Sequence, residues 1–343
     1  MKSKVIGLDI GSTSIKVAYL RQEGGNFILD SIATSPFAGK GLASESLADL
    51  QELSNTIKSL LESSNIRIIN TVLSIAEGQV YAKVIEMPDL SEQELAAALK
   101  FELEQYVPLP LDQARTDWEI LSKNEKDGKK TMDVMLVAAP LKKLEKYEKL
   151  MKMTGLIPDV IETEIVSVHR SLLPTLSVSD SNMLVHIGAS DTSVSLLYKG
   201  AIKAVFASDV GGSAISRAIS LELGIDINQA DNYKKAYGLS SDVFEGKIGH
   251  ALSPILESVV ADIKKTIFSY KEKNNNEEIK QIILSGGTAL LPGINAYFTN
   301  QIGTQVVTGN CFTAYNIKNV PKEIVVDAPA YNVVIGLALR NLI

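Results

Sequence analysis

Two stretches in opposite halves of this chain are written to one pattern, and that duplication limits the fold more than any other feature. The first is VIGLDIGSTSIKVAYL, Val5 to Leu20. Two runs rich in β-branched residues flank Gly11, Ser12, Thr13 and Ser14, and Ile15, Val17 and Tyr19 alternate with their neighbours. The stretch therefore predicts a hairpin with a small-residue tip. The second is MLVHIGASDTSVSLLYKG, Met183 to Gly200, again strand, glycine-containing turn and strand. LDIGSTSIKV and VHIGASDTSV share an Ile-Gly step, small hydroxyl residues and then alternating apolar positions, which lifts the motif above chance.

A tip without bulky side chains lets several backbone N–H groups face one anion. Asp9 closes the first strand, where it can hold a cation or a water. Lys16 follows two residues past the turn and can reach a phosphate as a point charge. The alternative is an ordinary Gly-Ser hairpin, with Asp9 capping the turn and Lys16 solvated.

With 343 residues, 45% hydrophobic and 22% charged, the chain has globular composition and room for about two domains. Net charge is −6 and no Lys/Arg block appears, which argues against nucleic acid as a partner. A single cysteine, Cys311, excludes an internal disulfide and fits a reducing compartment; it reads as a small buried apolar residue. His169, His186 and His250 make no metal-ligand spacing with it. The N-terminus MKSKVIGLDIGS is too short and polar for a signal peptide, and no apolar run reaches the ~18–20 residues that span a bilayer. The expectation is a cytosolic protein that meets a membrane only through a partner.

Along the chain, strands are expected to 37, then an amphipathic helix from Leu47 to Ser63 with Leu47, Leu50, Leu53, Ile57, Leu60 and Leu61 on one face. A buried strand follows at Thr71 to Ile75. From Gln79 the pattern reads strand (80–86), helix with an S-E-Q-E capping box (Ser91 to Tyr106), strands at 114–122 and 132–139 around a charged turn (124–130), helix (141–154) and strand (158–161). That is a small α+β unit, with Trp118 as packing. Later come helices at 164–173, 213–223, 228–237 and 254–272, a solvated polar loop at 271–280, strands at 281–284 and 306–307, and a closing helix at 331–342. Two further glycine pairs stand at strand-to-helix steps: Asp209-Val210-Gly211-Gly212 and Ser285-Gly286-Gly287-Thr288.

Paired hairpin loops with a strand–Gly-Gly–helix step resemble the actin-like ATPase superfamily. The resemblance implies an α/β fold of two lobes with duplicated mixed sheets and an inserted small α+β subdomain, binding ATP with Mg in the cleft. The boundaries it implies are a first lobe from 1–78, 163–180 and 326–343, an inserted subdomain at 79–162, a second lobe from 181–225 and 283–325, and its helical part at 226–282. Asp9, Gly11, Ser12, Thr13, Ser14 and Lys16 match the first phosphate motif, and Gly188, Ala189 and Thr192 the second. Gly211 and Gly212 lead into the helix beside it. Ser285, Gly286, Gly287 and Thr288 match the adenosine motif, and Asp231 with Lys234 the ribose contact, with Asp in place of Glu.

Within the superfamily, EMPDLSEQELAAALKFELEQYVPLP (86–110), VIETEIVSVHR (160–170), DVGGSAISRAI and PAYNVVIGLALRNL (329–342) are similar to the PilM family of type IV pilus assembly proteins. That implies a cytoplasmic adaptor at the inner membrane. Its partner would be the N-terminal cytoplasmic peptide of PilN, held between the inserted subdomain and the first lobe. Contacts with other platform proteins and the pilus motor ATPases, and self-association, are further implications. Two other classes share the fold: an active ATPase or small-molecule kinase, and an FtsA-like filament, which would need an amphipathic tail after the closing helix. One position departs from the superfamily pattern. His186 stands where the second phosphate motif usually has Asp, and neutral imidazole is a poor substitute for a carboxylate toward Mg²⁺, so weak or no hydrolysis is expected.

Several residues keep two readings. Asp9 anchors magnesium through water or caps the turn. His186 lies beside the phosphates or is a satisfied core histidine. Asp191 is a turn residue rather than a metal ligand. Glu162 faces the magnesium or caps the helix that follows. Asp231 and Lys234 contact ribose or form a surface ion pair.

Overall fold

The computed structural model describes residues 4–126, 128–239, 243–274 and 277–343. β1 (Ile6–Ile10) and β2 (Ser14–Glu23) form the expected hairpin with Asp9 opposite Lys16, and β3 (Asn26–Pro36) continues it. Ser46 caps helix α1 (Leu47–Ser63) by accepting the Ala48 N–H. Leu50, Leu53, Ile57 and Leu60 are its buried face. Leu47, expected there too, is 58% exposed, because it lies on the first turn ahead of the packed stripe. β4 (Asn70–Ile75) then runs parallel to β1.

β5 (Tyr81–Pro88), α2 (Glu92–Tyr106), β6 (Ala114–Lys126) and β7 (Lys129–Pro140) build a separate three-stranded sheet in the order β5-β7-β6. Leu95, Leu99 and Leu103 of α2 cover it, and the Ser91–Glu94 capping box is formed. The charged turn expected at 124–130 is mostly strand. Gly128 has φ +73°, the conformation an Asp-Gly turn needs, so the polar flanks stay in the ladder; Asp127 itself lies outside the described residues.

α3 (Leu141–Thr154) ends at the left-handed Gly155, as expected. Its Tyr147, Leu150 and Met151 enter the core that α1 covers, not the inserted sheet. β8 (Ile157–Thr163) pairs parallel with β4, so the strand expected at 158–161 belongs to the first sheet, ordered β3-β2-β1-β4-β8. A parallel neighbour needs a crossover, and α3 supplies it.

α4 (Glu164–Leu172) leads to the second copy of the pattern. β9 (Ser181–Ile187), β10 (Thr192–Tyr198) and β11 (Ala201–Ser208) form the second antiparallel set. Then come α5 (Gly212–Leu223), α6 (Ile227–Tyr237), α7 (Lys247–Lys273), β12 (Ile279–Ser285), α8 (Ile294–Ile302) and β13 (Gln305–Thr308). The sheet order β11-β10-β9-β12-β13 repeats that of the first sheet. α7 starts two turns before Pro254, where its start was expected, because buried Ile248 and Leu252 extend the stripe of Leu256 and Val259 across the proline. It also runs into the polar stretch expected as a loop at 271–280; Asn275 and Asn276 lie outside the described residues.

α9 (Cys311–Ala314), α10 (Lys322–Val325) and α11 (Asn332–Leu339) return the chain to the first sheet. α11 is shorter than the helix expected at 331–342, with a 3₁₀ turn at Ala328–Tyr331 before it. α4 and α11 lie between the two sheets: Ile165, Val168, Leu172 and Leu337 share one core with Val72 on one side and Leu184 and Ile283 on the other. This layer sets the N-terminus of α4 at the junction of the two halves. Among the described residues, no helix is long and apolar enough to cross a membrane.

Candidate functional site

The two hairpin tips are closed alike. Gly11 N–H donates to Ser14 O at 3.0 Å, and Gly188 N–H to Asp191 O at 2.9 Å. The tips also meet, Ser12 Oγ lying 2.9 Å from Ser190 Oγ. Behind the first tip Asp9 is buried; its Oδ1 accepts from Ser74 Oγ at 3.2 Å and its Oδ2 from Lys16 Nζ at 3.3 Å. Thr13 and Ser14 complete that tip, Thr13 O accepting the Phe37 N–H.

The second tip is wedged against two glycine steps. Gly212 N–H donates to Gly188 O at 2.9 Å, Ser213 N–H to Ala189 O at 2.8 Å, and Thr288 Oγ1 to Gly188 O at 3.3 Å. The first amides of α5 therefore cap the loop. Thr192 Oγ1 donates to Val210 O at 2.6 Å. Space is the reason for glycine here: a Cβ on Gly212 would stand 2.5 Å from Thr288 Oγ1. A Cβ on Gly286, whose φ is +91°, would stand 2.3 Å from Ile187 O. Gly211 is packed as closely against Ala189 and Asp191, whereas a Cβ on Gly287 would meet nothing within 4 Å. Gly287 is thus the open face of the step.

Asp231 and Lys234 form an ion pair of 2.6 Å, but not a surface one, since the Lys234 side chain is 11% exposed. Lys234 also donates to Gly212 O and Ser216 Oγ, tying α6 to the start of α5. Burial works against the Asp231 carboxylate, yet Lys234, Lys235 and Ser216 outweigh it and hold its pKa below the usual range. Burial lowers Lys234 despite the same pair.

His186 stands inside the junction. Its Nδ1 lies 3.0 Å from Ser285 Oγ, which also accepts from Asn332 Nδ2, and its Nε2 lies 3.7 Å from Glu164 Oε2. Burial drops its pKa to about 4, with Asp9 opposing and Lys16 assisting, so the ring is neutral at neutral pH. Glu164 is pushed well up by burial and by the charges of Asp9, Asp191 and Glu77. Burial also raises Asp191, with Asp209 and Asp9 adding to it. The groups read from the two repeats, Asp9, Lys16 and His186, thus act on one another across the junction.

Glu162 does not face this cluster. Arg170 engages both its oxygens, one of them at 2.8 Å, and Arg340 and Ser167 engage them as well. The metal-facing role expected for it gives way to a buried ion network joining β8, α4 and the end of α11. The acid that reaches the junction is Glu164, two residues on. Sequence reasoning also passed over Glu77, which is 2% exposed. Its Oε1 accepts the Ile165 N–H at 2.6 Å and its Oε2 accepts from Ser193 Oγ at 2.7 Å, while burial lifts its pKa to about 7. A signal existed: an acid directly after the apolar run TVLSIA must be buried or mark an exit, and Glu77 is buried.

A groove of about 260 Å³ opens beside Glu77. Tyr81 and Lys83 of β5, Tyr106 and Leu103 of α2, and Val205 and Phe206 of β11 line it. Its walls are the sheet β5-β7-β6 with α2 and, opposite, β11 of the second sheet, a different place from the groove between the inserted subdomain and the first lobe that the resemblance implies for a partner. Lys83 Nζ sits 3.3 Å over the Tyr106 ring.

Three solved structures are similar along nearly the whole chain. The PilM-PilN type IV pilus biogenesis complex matches at TM-score 0.87 with 23% identity, covering 100% of both chains. The ethanolamine utilization protein EutJ from Carboxydothermus hydrogenoformans matches at 0.58 with 15% identity, covering 99% of this chain and 90% of that one. MreB 5 of Spiroplasma citri bound to AMPPNP matches at 0.51 with 14% identity, covering 92% and 95%. The fold is therefore that of the actin-like ATPases. The family model "Type IV pilus assembly protein PilM" matches residues 7–342. By that match the chain belongs to the PilM family of type IV pilus assembly proteins.

Proposed function

We propose that this chain is an ATP-binding adaptor that docks the N-terminal cytoplasmic segment of a PilN-type protein at the pilus assembly platform, with weak or no hydrolysis. The observation that carries the nucleotide half is the contact of the two duplicated tips beside Asp9 and Lys16. The residues fit a nucleoside triphosphate. Gly11 to Ser14, Gly188, Ala189 and Thr192 would hold the phosphates on the two tips, with Lys16 supplying positive charge. The open face of Gly287 beside Thr288 would take the base. Asp231 and Lys234 are engaged with each other and with α5, so they frame that pocket. Magnesium keeps most of its waters and needs few protein carboxylates, and Asp9 would hold it through water. Bound there, the ion would neutralise phosphate charge. The neutral His186 gives it no anionic partner, which supports slow turnover.

The partner half rests on the groove. Because one wall is β11 of the second lobe and the other the inserted sheet, any rotation of the lobes changes its width. Nucleotide that binds one lobe arrangement better shifts the population and hence the affinity for the peptide, by as much as its own preference and no more. The test is titration of the PilN peptide with and without ATP, using wild type, Lys16→Ala and Gly287→Asp. ATP should tighten peptide binding in wild type alone; equal affinity in every case overturns the coupling.

A further inference from the structure

One residue, Glu77, ties the groove to the elements that meet at the junction of the two tips. Glu77 lines the groove, and its carboxylate is bonded to two elements that reach the cleft. On one side it accepts the N–H of Ile165, whose neighbour Glu164 lies 3.7 Å from His186. On the other it accepts from Ser193, which β-pairing places directly opposite His186. Glu77, Ile165–Glu164, His186 and Ser193 therefore close a ring that passes through α4, β9 and β10. Glu77 itself stands at the root of the inserted unit, between β4 and β5. A second tie runs beside it: Lys203 of β11 pairs with Asp133 of β7, which also accepts from Ser122 and Asn124.

We propose that Glu77 is a positioning residue, a latch that holds the second lobe against α4 and the inserted unit and so carries the state of the cleft to the groove. The link to the groove rests on the adaptor reading above; the latch itself does not. Two bonds from one rigid, buried carboxyl fix the spacing between α4 and β10. Lose either bond and α4 and β10 are held here by the apolar core around α4 and by Lys203–Asp133, without the fixed carboxyl spacer, so the lobes sample wider arrangements.

Interlobe distance tests the latch without any ligand. Cysteines replacing the exposed Lys58 on α1 and Glu222 on α5 take spin labels, and the native Cys311 is buried. Pulsed electron resonance then reads the distance distribution. Glu77→Ala and Ser193→Ala should broaden it and move it outward. Glu77→Gln keeps an acceptor for Ile165 and a polar partner for Ser193, so it should retain the wild-type distribution. Folded Ala variants with the wild-type distribution overturn the latch, as does Glu77→Gln behaving like Glu77→Ala. The second readout is the ratio of PilN-peptide affinities with and without ATP, which in Glu77→Ala should fall to within about twofold of one. A wild-type ratio of one overturns the coupling and with it the link to the groove, while the distances still decide the latch.

Discussion

Glu162 and Glu164 sit two residues apart across a strand-to-helix step, and their surroundings give them different work. Glu162 neutralises two arginines, and removing it leaves Arg170 buried without its partner. Glu162→Ala should cost about 3–5 kcal/mol, read as a drop in the urea midpoint at constant slope. Glu77 makes a prediction of opposite electrostatic sense. Its pKa in the fold is about 7 against an ordinary 4.5, so the folded state holds a proton that the unfolded chain has released. Stability therefore falls as pH rises between those values, by up to about 3 kcal/mol, and changes no further above them. His186 works the other way: held at about 4 against 6.5, it weakens the fold as pH falls through that window. Because His186 and Glu164 titrate in the same range, the readout is the difference from wild type: Glu77→Gln should make stability fall less, or rise more, from about pH 5 to pH 7 in a series of urea midpoints. A variant as pH-sensitive as wild type would show that Glu77 is not its source.

At the scale of elements, what local chemistry decides was legible and what tertiary pairing decides was not. The capping box at Ser91, the stop at Gly155 and, apart from Leu47, the apolar stripe of α1 are written within a few residues and appear where the sequence puts them. The partner of β8 is not local. Nothing in PDVI says whether a strand joins the sheet before it or the one it leaves, and α3's buried Tyr147, Leu150 and Met151 settle that only in three dimensions. Likewise Pro254 reads as a helix start, while the buried Ile248 and Leu252 that override it need the second-lobe core to be known. At the site, the backbone-defined parts, the tips and glycine steps, were legible because glycine and small residues carry the constraint themselves. Glu77 and Glu164 were not, since their roles come from partners far along the chain. The capping box offers a clean check: Ser91→Ala should destabilise the first turn of α2 by about 1 kcal/mol, read as roughly fivefold faster amide exchange at Glu94 with little change in α1.

Over the whole molecule, two sheets of one topology bring their hairpin tips within 2.9 Å of each other, with α4 and α11 packed between them. The separate sheet β5-β7-β6 leans on β11 of the second sheet through Lys203 and Asp133, with a groove between them. The proposed function requires that both tips serve one triphosphate. Calorimetric titration of ATP and of adenosine, each with magnesium, into wild type and Lys16→Ala tests it most directly. ATP should bind wild type at least about tenfold more tightly than adenosine, and Lys16→Ala should narrow that gap while leaving adenosine binding unchanged. ATP binding no tighter than adenosine would contradict the claim.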